Sequence, residues 1–429
     1  MASPLSVVLL GGGTVGSAVA QLLVEQAEDL TARIGRPLEL KGVAVRDASK
    51  PRSGISAELI TQDAAKLASS GADIVIELIG GIEPAKTLIE TAITNGSSVV
   101  TANKALLAAH GAHLHKLAEE KGVDLYYEAA VAGAIPLIRP LRESLAGDKV
   151  TKILGIVNGT TNFILSKMYS DGADYHAVLA EAQALGYAEA DPTADVEGFD
   201  SAAKAAILAG IAFHTDVTSE DVYREGISKV TAEDIAAAKS LGYVIKLLAI
   251  AELTKDESGV IVRVHPAMVP QNHPLASVRD AFNAVFVEAQ AAGQMMFYGR
   301  GAGGVPTASS VLGDVVAASR NRVAGSLGPA QSIYADLALR EIGQAETAYY
   351  LNLRVADVSG VLAAISSEFA KHDVSIQAVR QDGVGEEARL IIRTHKATDA
   401  KLQATLSALK SLSAVRDVVG VMRVEGGPS

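Results

Sequence analysis

The stretch at 186–204, GYAEADPTADVEGFDSAAK, gathers Glu189, Asp191, Asp195, Glu197 and Asp200 ahead of a single lysine. Asp200 reads as the N-cap of a helix over SAAKAAILAGIAF, which puts Lys204, four residues on, on the same face. An ammonium partly withdrawn from water among alanines has its charged form disfavoured, while nearby carboxylates favour it. Its proton affinity can therefore be set for acid and base work. The competing reading is a solvated acidic loop before an ordinary helix. A second lysine, Lys104, closes SVVTANK at 98–104, at the carboxyl end of a strand, the edge at which open parallel sheets bind ligands.

The elements that must position these groups begin at the N-terminus. LSVVLL at 5–10 is a continuous apolar strand, and GGGTVG at 11–16 opens a helix expected to run to about Arg33. In this strand–loop–helix context Gly11 allows the tight turn, Gly13 lets a pyrophosphate approach the backbone, and Gly16 lets helix pack on strand. The second strand, 38–45, ends at Arg46 where an NAD enzyme usually places an acid, and Lys50 follows. A 2'-phosphate, hence NADP, is the expectation, set against a plain surface arginine. Strands at 72–81 and 98–104 with a helix from Pro84 to Asn95 between them continue a βα rhythm that argues for a doubly wound parallel sheet. His110, His113 and His115 on the next helix lack a nearby carboxylate and read as a solvated face, not a metal site.

After a strand expected at 123–136 the βα rhythm stops and an α+β substrate domain follows. The small-residue backbone from Glu128 to Ile135 could hold a monovalent cation or simply turn the chain. NGTTN at 158–162 reads as a turn and cap before a helix near Phe163. The glycines of GRGAGG at 299–304 suit either closure over a cofactor or a hinge before a helix to about Arg320. From Thr347 to Glu425 the order is strand, helix, strand, strand, helix, strand, a ferredoxin-like pattern.

A net charge of -11 and the absence of a basic stripe with aromatics argue against nucleic acid. The chain has no cysteine, which removes disulfides and thiolate chemistry and fits a reducing compartment. Apolar runs are interrupted before the length of a bilayer span, and MASPLSVVLL reads as a first strand and not a signal peptide, so a cytoplasmic protein is expected.

GGGTVG, TANK, NGTTN, GYAEADPTADVEGFDSAAK and GRGAGGVPTAS, in that order, resemble homoserine dehydrogenase of the long form with a C-terminal ACT domain, over essentially the whole chain. The resemblance implies reduction of L-aspartate 4-semialdehyde to L-homoserine with NADPH or NADH, in threonine, methionine and isoleucine biosynthesis. It makes Lys204 the proton donor to the aldehyde oxygen and Lys104 a second catalytic lysine that lies near the substrate and binds the nicotinamide cofactor, with Glu189 and Asp195 binding substrate; Asp200, on the helix argument, holds Lys204 or the substrate oxygen. It places the cofactor on Gly11, Gly13, Thr14, Val15, Gly16 and Gly303, and sodium at Glu128, Val131, Gly133 and Ile135. Threonine is the implied effector, with Asp357 and Gly360 in the regulatory loop, where Ser359 stands in place of the proline often found in that motif. A homodimer or homotetramer is implied. The expected domains are 1–130 for dinucleotide, 131–310 for substrate, 311–345 as returning helix and linker, and 346–429 as ACT domain. The alternatives are a reductase of another small amino acid aldehyde, and a nucleotide sensor without turnover; the lysines beside carboxylates favour a reductase.

Overall fold

The computed structural model describes residues 3–330, 333–383 and 387–427. The chain forms two compact units, one of residues 1–159, 203–221 and 282–336, the other of residues 160–202, 222–281 and 337–429.

The first unit contains a six-stranded parallel sheet made of Leu5–Leu10, Leu38–Ala44, Ile60–Thr61, Ile74–Glu77, Ser98–Thr101 and Leu125–Tyr126. Their spatial order is third, second, first, fourth, fifth, sixth, which is the doubly wound dinucleotide-binding order. Unbroken apolar runs such as LSVVLL suit strands covered on both faces. Val7, Leu9, Ile74, Ile76 and Val100 pack with Val19 of the first helix and with Ala308, Val311 and Val315 of the helix Gly304–Ala324. The same unit holds an antiparallel set, Val150–Ile156 beside Phe282–Ala289 beside Gly293–Arg300.

In the second unit the hairpin Tyr243–Leu253 and Gly259–Pro270 is joined in parallel by the last strand, Val415–Val424, through Ala267 opposite Arg423. That strand continues into an antiparallel sheet with Glu346–Ala356, Glu387–Thr394 and Ile376–Asp382. Helices Val361–Lys371 and Asp399–Lys410 supply Ile365, Phe369, Leu402 and Leu409 to a core with Leu351, Leu353, Leu390 and Ile392. This is the ferredoxin-like arrangement expected from the strand and helix order.

Several boundaries depart from the sequence expectation. The first helix stops at Glu25 and a second runs Ala27–Ile34, because Gln26 leaves helical geometry at φ -107°, ψ 17°. Lys104 does not end a strand: the strand stops at Thr101, Asn103 caps the next helix through its side chain, and Lys104 is that helix's first residue. The segment 123–136 keeps only Leu125–Tyr126 as strand before a buried turn. NGTTN lies largely inside the helix Gly159–Asp171 and not ahead of it. Asp200 is the second residue of the helix Phe199–Phe213 and not its cap, so the helix begins at Phe199, two residues sooner than a cap at Asp200 would give.

Candidate active site

Glycine geometry defines the dinucleotide end. Gly11 has φ +111°, and a Cβ there would lie 2.6 Å from the Leu78 carbonyl oxygen; at Gly16 it would lie 2.0 Å from the Gly11 carbonyl. At Gly13 a Cβ would meet nothing within 4 Å, so the loop is tight where strand meets helix and open where phosphates would approach. Thr14 and Val15 begin the helix Thr14–Glu25, whose N–H groups face that opening. These residues fit a dinucleotide. The second glycine run lies against the first: a Cβ at Gly304 would stand 3.0 Å from Thr14 Cγ2, and Gly303 takes φ +126° just before the helix.

Arg46 is exposed at the end of the second strand, its carbonyl accepting from Gln62 Nε2 at 2.8 Å. Arg52, which sequence reading passed over, donates from Nε to the Gly12 carbonyl at 2.9 Å and so braces the loop directly. Lys50 lies 3.8 Å from Asp47, in an exposed pair.

Lys104 stands at the base of a buried polar brace. The Glu77 carboxylate, wholly buried, accepts from the N–H groups of Ile79 and Gly80 at 2.7 and 3.0 Å and from the Thr101 hydroxyl at 2.6 Å. Thr101 in turn accepts from the Asn103 N–H at 3.0 Å, and Asn103 donates to the Gly81 carbonyl at 2.6 Å. The TANK motif is thereby fixed, and Lys104 with it, half-buried on the first helical turn. On the same helix His113 is exposed and pairs with Glu90 at 2.8 Å, but His115 is only 5% exposed and packs edge-on against Tyr127. The expected solvated face thus holds for His113 and fails for His115, because the helix turns that residue inward. Among the described residues no group of three or more His, Cys, Asp or Glu is placed to hold a metal ion.

Lys204 is buried, and its ammonium donates to the Val157 carbonyl at 2.6 Å, one residue before NGTTN. Asp200 is buried one turn earlier on the same helix.

The acids ahead of that helix are differently placed. Glu189 is exposed, its carbonyl accepting from Gln183 Nε2 at 3.0 Å. Asp191 accepts from the Thr193 N–H at 3.1 Å, and hydrogen bonds from Thr193 hold its carboxyl below the usual range. Asp195 is half-buried within the short helix Thr193–Val196. Thr160 of NGTTN donates to the Tyr187 carbonyl at 2.6 Å, and Phe163 packs on the Tyr187 ring at 4.9 Å, tying NGTTN to the start of the acidic stretch.

In the turn after Tyr127 the Glu128 carboxylate accepts from the N–H groups of Leu137, Ile138 and Arg139 at 2.5, 2.6 and 3.0 Å. It is engaged in holding backbone, so the side chain does not fit as a cation ligand. The carbonyl groups of Glu128, Val131, Gly133 and Ile135 do fit by chemistry, in a turn where Ala132 and Gly133 take φ 58° and 55°. Beside it Asp314 accepts from the Glu128 N–H at 2.7 Å; burial, then the charge of Glu128, push its carboxyl up to about 8. In the C-terminal domain Asp357 accepts from Gln381 at 3.2 Å, and Gly360, at φ +89°, caps the helix Val361–Lys371 with open space beyond its Cα.

A doubly wound sheet with a glycine loop at its first βα turn, joined to a ferredoxin-like domain, defines a dinucleotide-binding protein with an appended regulatory-type module. Family models match residues 11–128 as homoserine dehydrogenase, NAD binding domain, 136–316 as homoserine dehydrogenase, and 349–414 as ACT domain. Homoserine dehydrogenase of Mycobacterium tuberculosis is 57% identical over 433 residues, covering 99% of this chain and 98% of that protein. The crystal structure of a homoserine dehydrogenase from Thiobacillus denitrificans superposes with a TM-score of 0.91 at 42% identity, over 99% of this chain and 98% of that one. A hyperthermophilic archaeal homoserine dehydrogenase in complex with NADPH matches with a TM-score of 0.62 at 27% identity, over 74% of this chain and 98% of that one. The chain belongs to the homoserine dehydrogenase family and is an oxidoreductase.

Proposed function

We propose that the protein reduces L-aspartate 4-semialdehyde to L-homoserine with NADPH, or less effectively NADH, and that Lys204 gives the proton. The observation that carries this reading is a buried lysine held at 2.6 Å to the Val157 carbonyl, one helical turn after a buried aspartate. The bound nicotinamide supplies the hydride to the aldehyde carbon. Lys204 protonates the oxygen on which negative charge develops and regains its proton from solvent. Lys104, fixed by the Glu77–Thr101–Asn103 brace, adds a second positive charge, and Asp200 orients Lys204 or the substrate oxygen. Glu189 and Asp195 complement the substrate ammonium. Gly11, Gly13, Thr14, Val15, Gly16 and Gly303 hold the pyrophosphate, and Arg46 reads the 2'-phosphate.

In this reading sodium binds the main-chain carbonyls of Glu128, Val131, Gly133 and Ile135 as a structural ion. Residues 1–130 serve the dinucleotide, 131–310 the substrate, 311–345 return to the first domain, and 346–429 bind threonine near Asp357 and Gly360 as a feedback signal. The protein works in the cytoplasm as a homodimer or homotetramer in threonine, methionine and isoleucine biosynthesis. Support for a non-membrane setting is that, among the described residues, no helix is long and apolar enough to cross a bilayer. The deciding assay is NADPH oxidation with L-aspartate 4-semialdehyde, repeated with NADH and with threonine. Absence of turnover with the semialdehyde overturns the reading.

A further inference from the structure

The acidic stretch is held from one side by a short strand that sequence reading did not single out. Tyr223–Arg224 pairs in parallel with Gly259–Pro270, Arg224 opposite Val264, and the Glu225 N–H donates to the Val264 carbonyl at 2.8 Å. Successive side chains of extended backbone point to opposite faces. Arg224 reaches one way: its guanidinium donates to the Glu197 carbonyl at 2.7 Å and lies 3.4 Å from the centre of the Phe199 ring. Glu225 reaches the other way, accepting from Arg423 of the last ACT-domain strand at 2.7 Å, and Arg423 is fixed by Asp399 at 2.8 Å. Backbone closeness reinforces the first contact, since a Cβ at Gly226 would lie 2.4 Å from the Val196 carbonyl oxygen and a Cβ at Gly198 would lie 3.3 Å from Arg224 Cγ.

The segment thus gripped, Val196–Phe199, is the turn between Asp195 and Asp200. Its geometry sets the direction in which Asp195 leaves one short helix and Asp200 enters the next. A planar guanidinium suits this role because one face stacks on an aromatic ring while an edge donates to a carbonyl, which a lysine cannot do together.

We propose that Arg224 is a positioning residue for substrate binding, holding the Glu197–Phe199 turn in place, and that the Glu225–Arg423 ion pair anchors its strand to the ACT domain. The inference rests on the reading of Asp195 as a substrate ligand. On that reading Arg224 acts on the acids through the Glu197 carbonyl and the Phe199 ring.

The test is steady-state kinetics on the full chain, varying semialdehyde and NADPH separately, with a thermal melt for each variant. Arg224→Ala is expected to raise the KM for semialdehyde by about tenfold while kcat and the KM for NADPH stay within about twofold. Arg224→Lys, which keeps a donor but loses the stack, is expected to fall between, and it decides the matter if Arg224→Ala does not fold. Glu225→Gln is expected to raise the same KM by a smaller factor. Asp195→Asn is run alongside. If Asp195→Asn raises the semialdehyde KM and the Arg224 variants do not, or if they move both KM values together, the inference is overturned. If Asp195→Asn itself leaves that KM unchanged, the substrate reading of the stretch fails, and the inference fails with it.

Discussion

The Lys204 ammonium donates to the Val157 carbonyl oxygen at 2.6 Å. That acceptor fixes the direction of the buried side chain. Placed on a helix of alanines and isoleucines, it has little freedom to swing away. If Lys204 gives the proton, as proposed, a donor so held needs no rearrangement at the moment of transfer.

Two arginines flank the first glycine loop in different ways. Arg46 is exposed at the strand end, whereas Arg52 is bonded to the Gly12 carbonyl within the loop itself. Arg46→Ala is therefore expected to weaken NADPH use several-fold, roughly 1 kcal/mol, and leave NADH use nearly unchanged. Arg52→Ala is expected to weaken both, because it loosens the loop that holds the shared pyrophosphate. Measuring kcat/KM for the two cofactors in each variant checks this; an unchanged NADPH to NADH ratio in Arg46→Ala contradicts it.

The ACT domain is bound into its unit by a buried charge. Arg263, with no exposed surface, donates to Glu425 at 2.9 Å and to Glu252 at 2.6 Å. Glu425→Gln leaves Arg263 still paired with Glu252 but weakens one buried charge-assisted hydrogen bond, so it is expected to destabilise by about 1.5 to 3 kcal/mol in urea unfolding. Simple truncation before the domain would expose the same arginine and the edge of Gly259–Pro270, so it would lose stability along with any regulation.

Acid sensitivity follows from a second buried group on that strand. Burial, then the charges of Arg423 and Arg263, hold His265 down to about 4 from an ordinary 6.5. Between those values the unfolded chain binds a proton that the folded chain refuses, so stability present above pH 6.5 is lost as pH falls toward 4. His265→Gln is expected to flatten the melting temperature against pH in this window. An identical slope in the variant and the parent contradicts the assignment.

Threonine regulation through the ACT domain is tested without truncation. Gly360 occupies φ +89° at the head of a helix, with space beyond it. Gly360→Glu is expected to retain turnover without threonine and to lose most of its response to it, an effect of roughly 1 to 3 kcal/mol in coupling. Equal inhibition of variant and parent would place threonine elsewhere.

What was legible in the sequence was local. The first glycine loop could be read because strand, glycine spacing and helix are consecutive, and the ferredoxin-like order because its strands and helices are amphipathic and short. Lys204 stood out in sequence as the one lysine of a largely apolar helix. The supports did not: the Thr101 bond to Glu77 spans 24 positions, the Arg52 bond to Gly12 spans 40, and the Glu128 bond to Asp314 spans 186. Such partners are set by tertiary packing and carry no spacing signal. Lys246 is a further case, an ordinary lysine in sequence that is buried in the fold on Asn162 Oδ1 at 2.8 Å, with burial pushing it down to about 7. Helix starts were misplaced by a residue or more at Lys104 and Asp200, because capping there depends on neighbours as much as on the residue itself.

The central claim, that Lys204 is the proton donor, is tested most directly by single-turnover NADPH oxidation with L-aspartate 4-semialdehyde in Lys204→Ala, with NADPH binding and melting measured on the same preparation. Cofactor binding and folding are expected to stay intact, with the reduction step slowed by about two to four orders of magnitude. A single-turnover rate equal to that of the parent would contradict it.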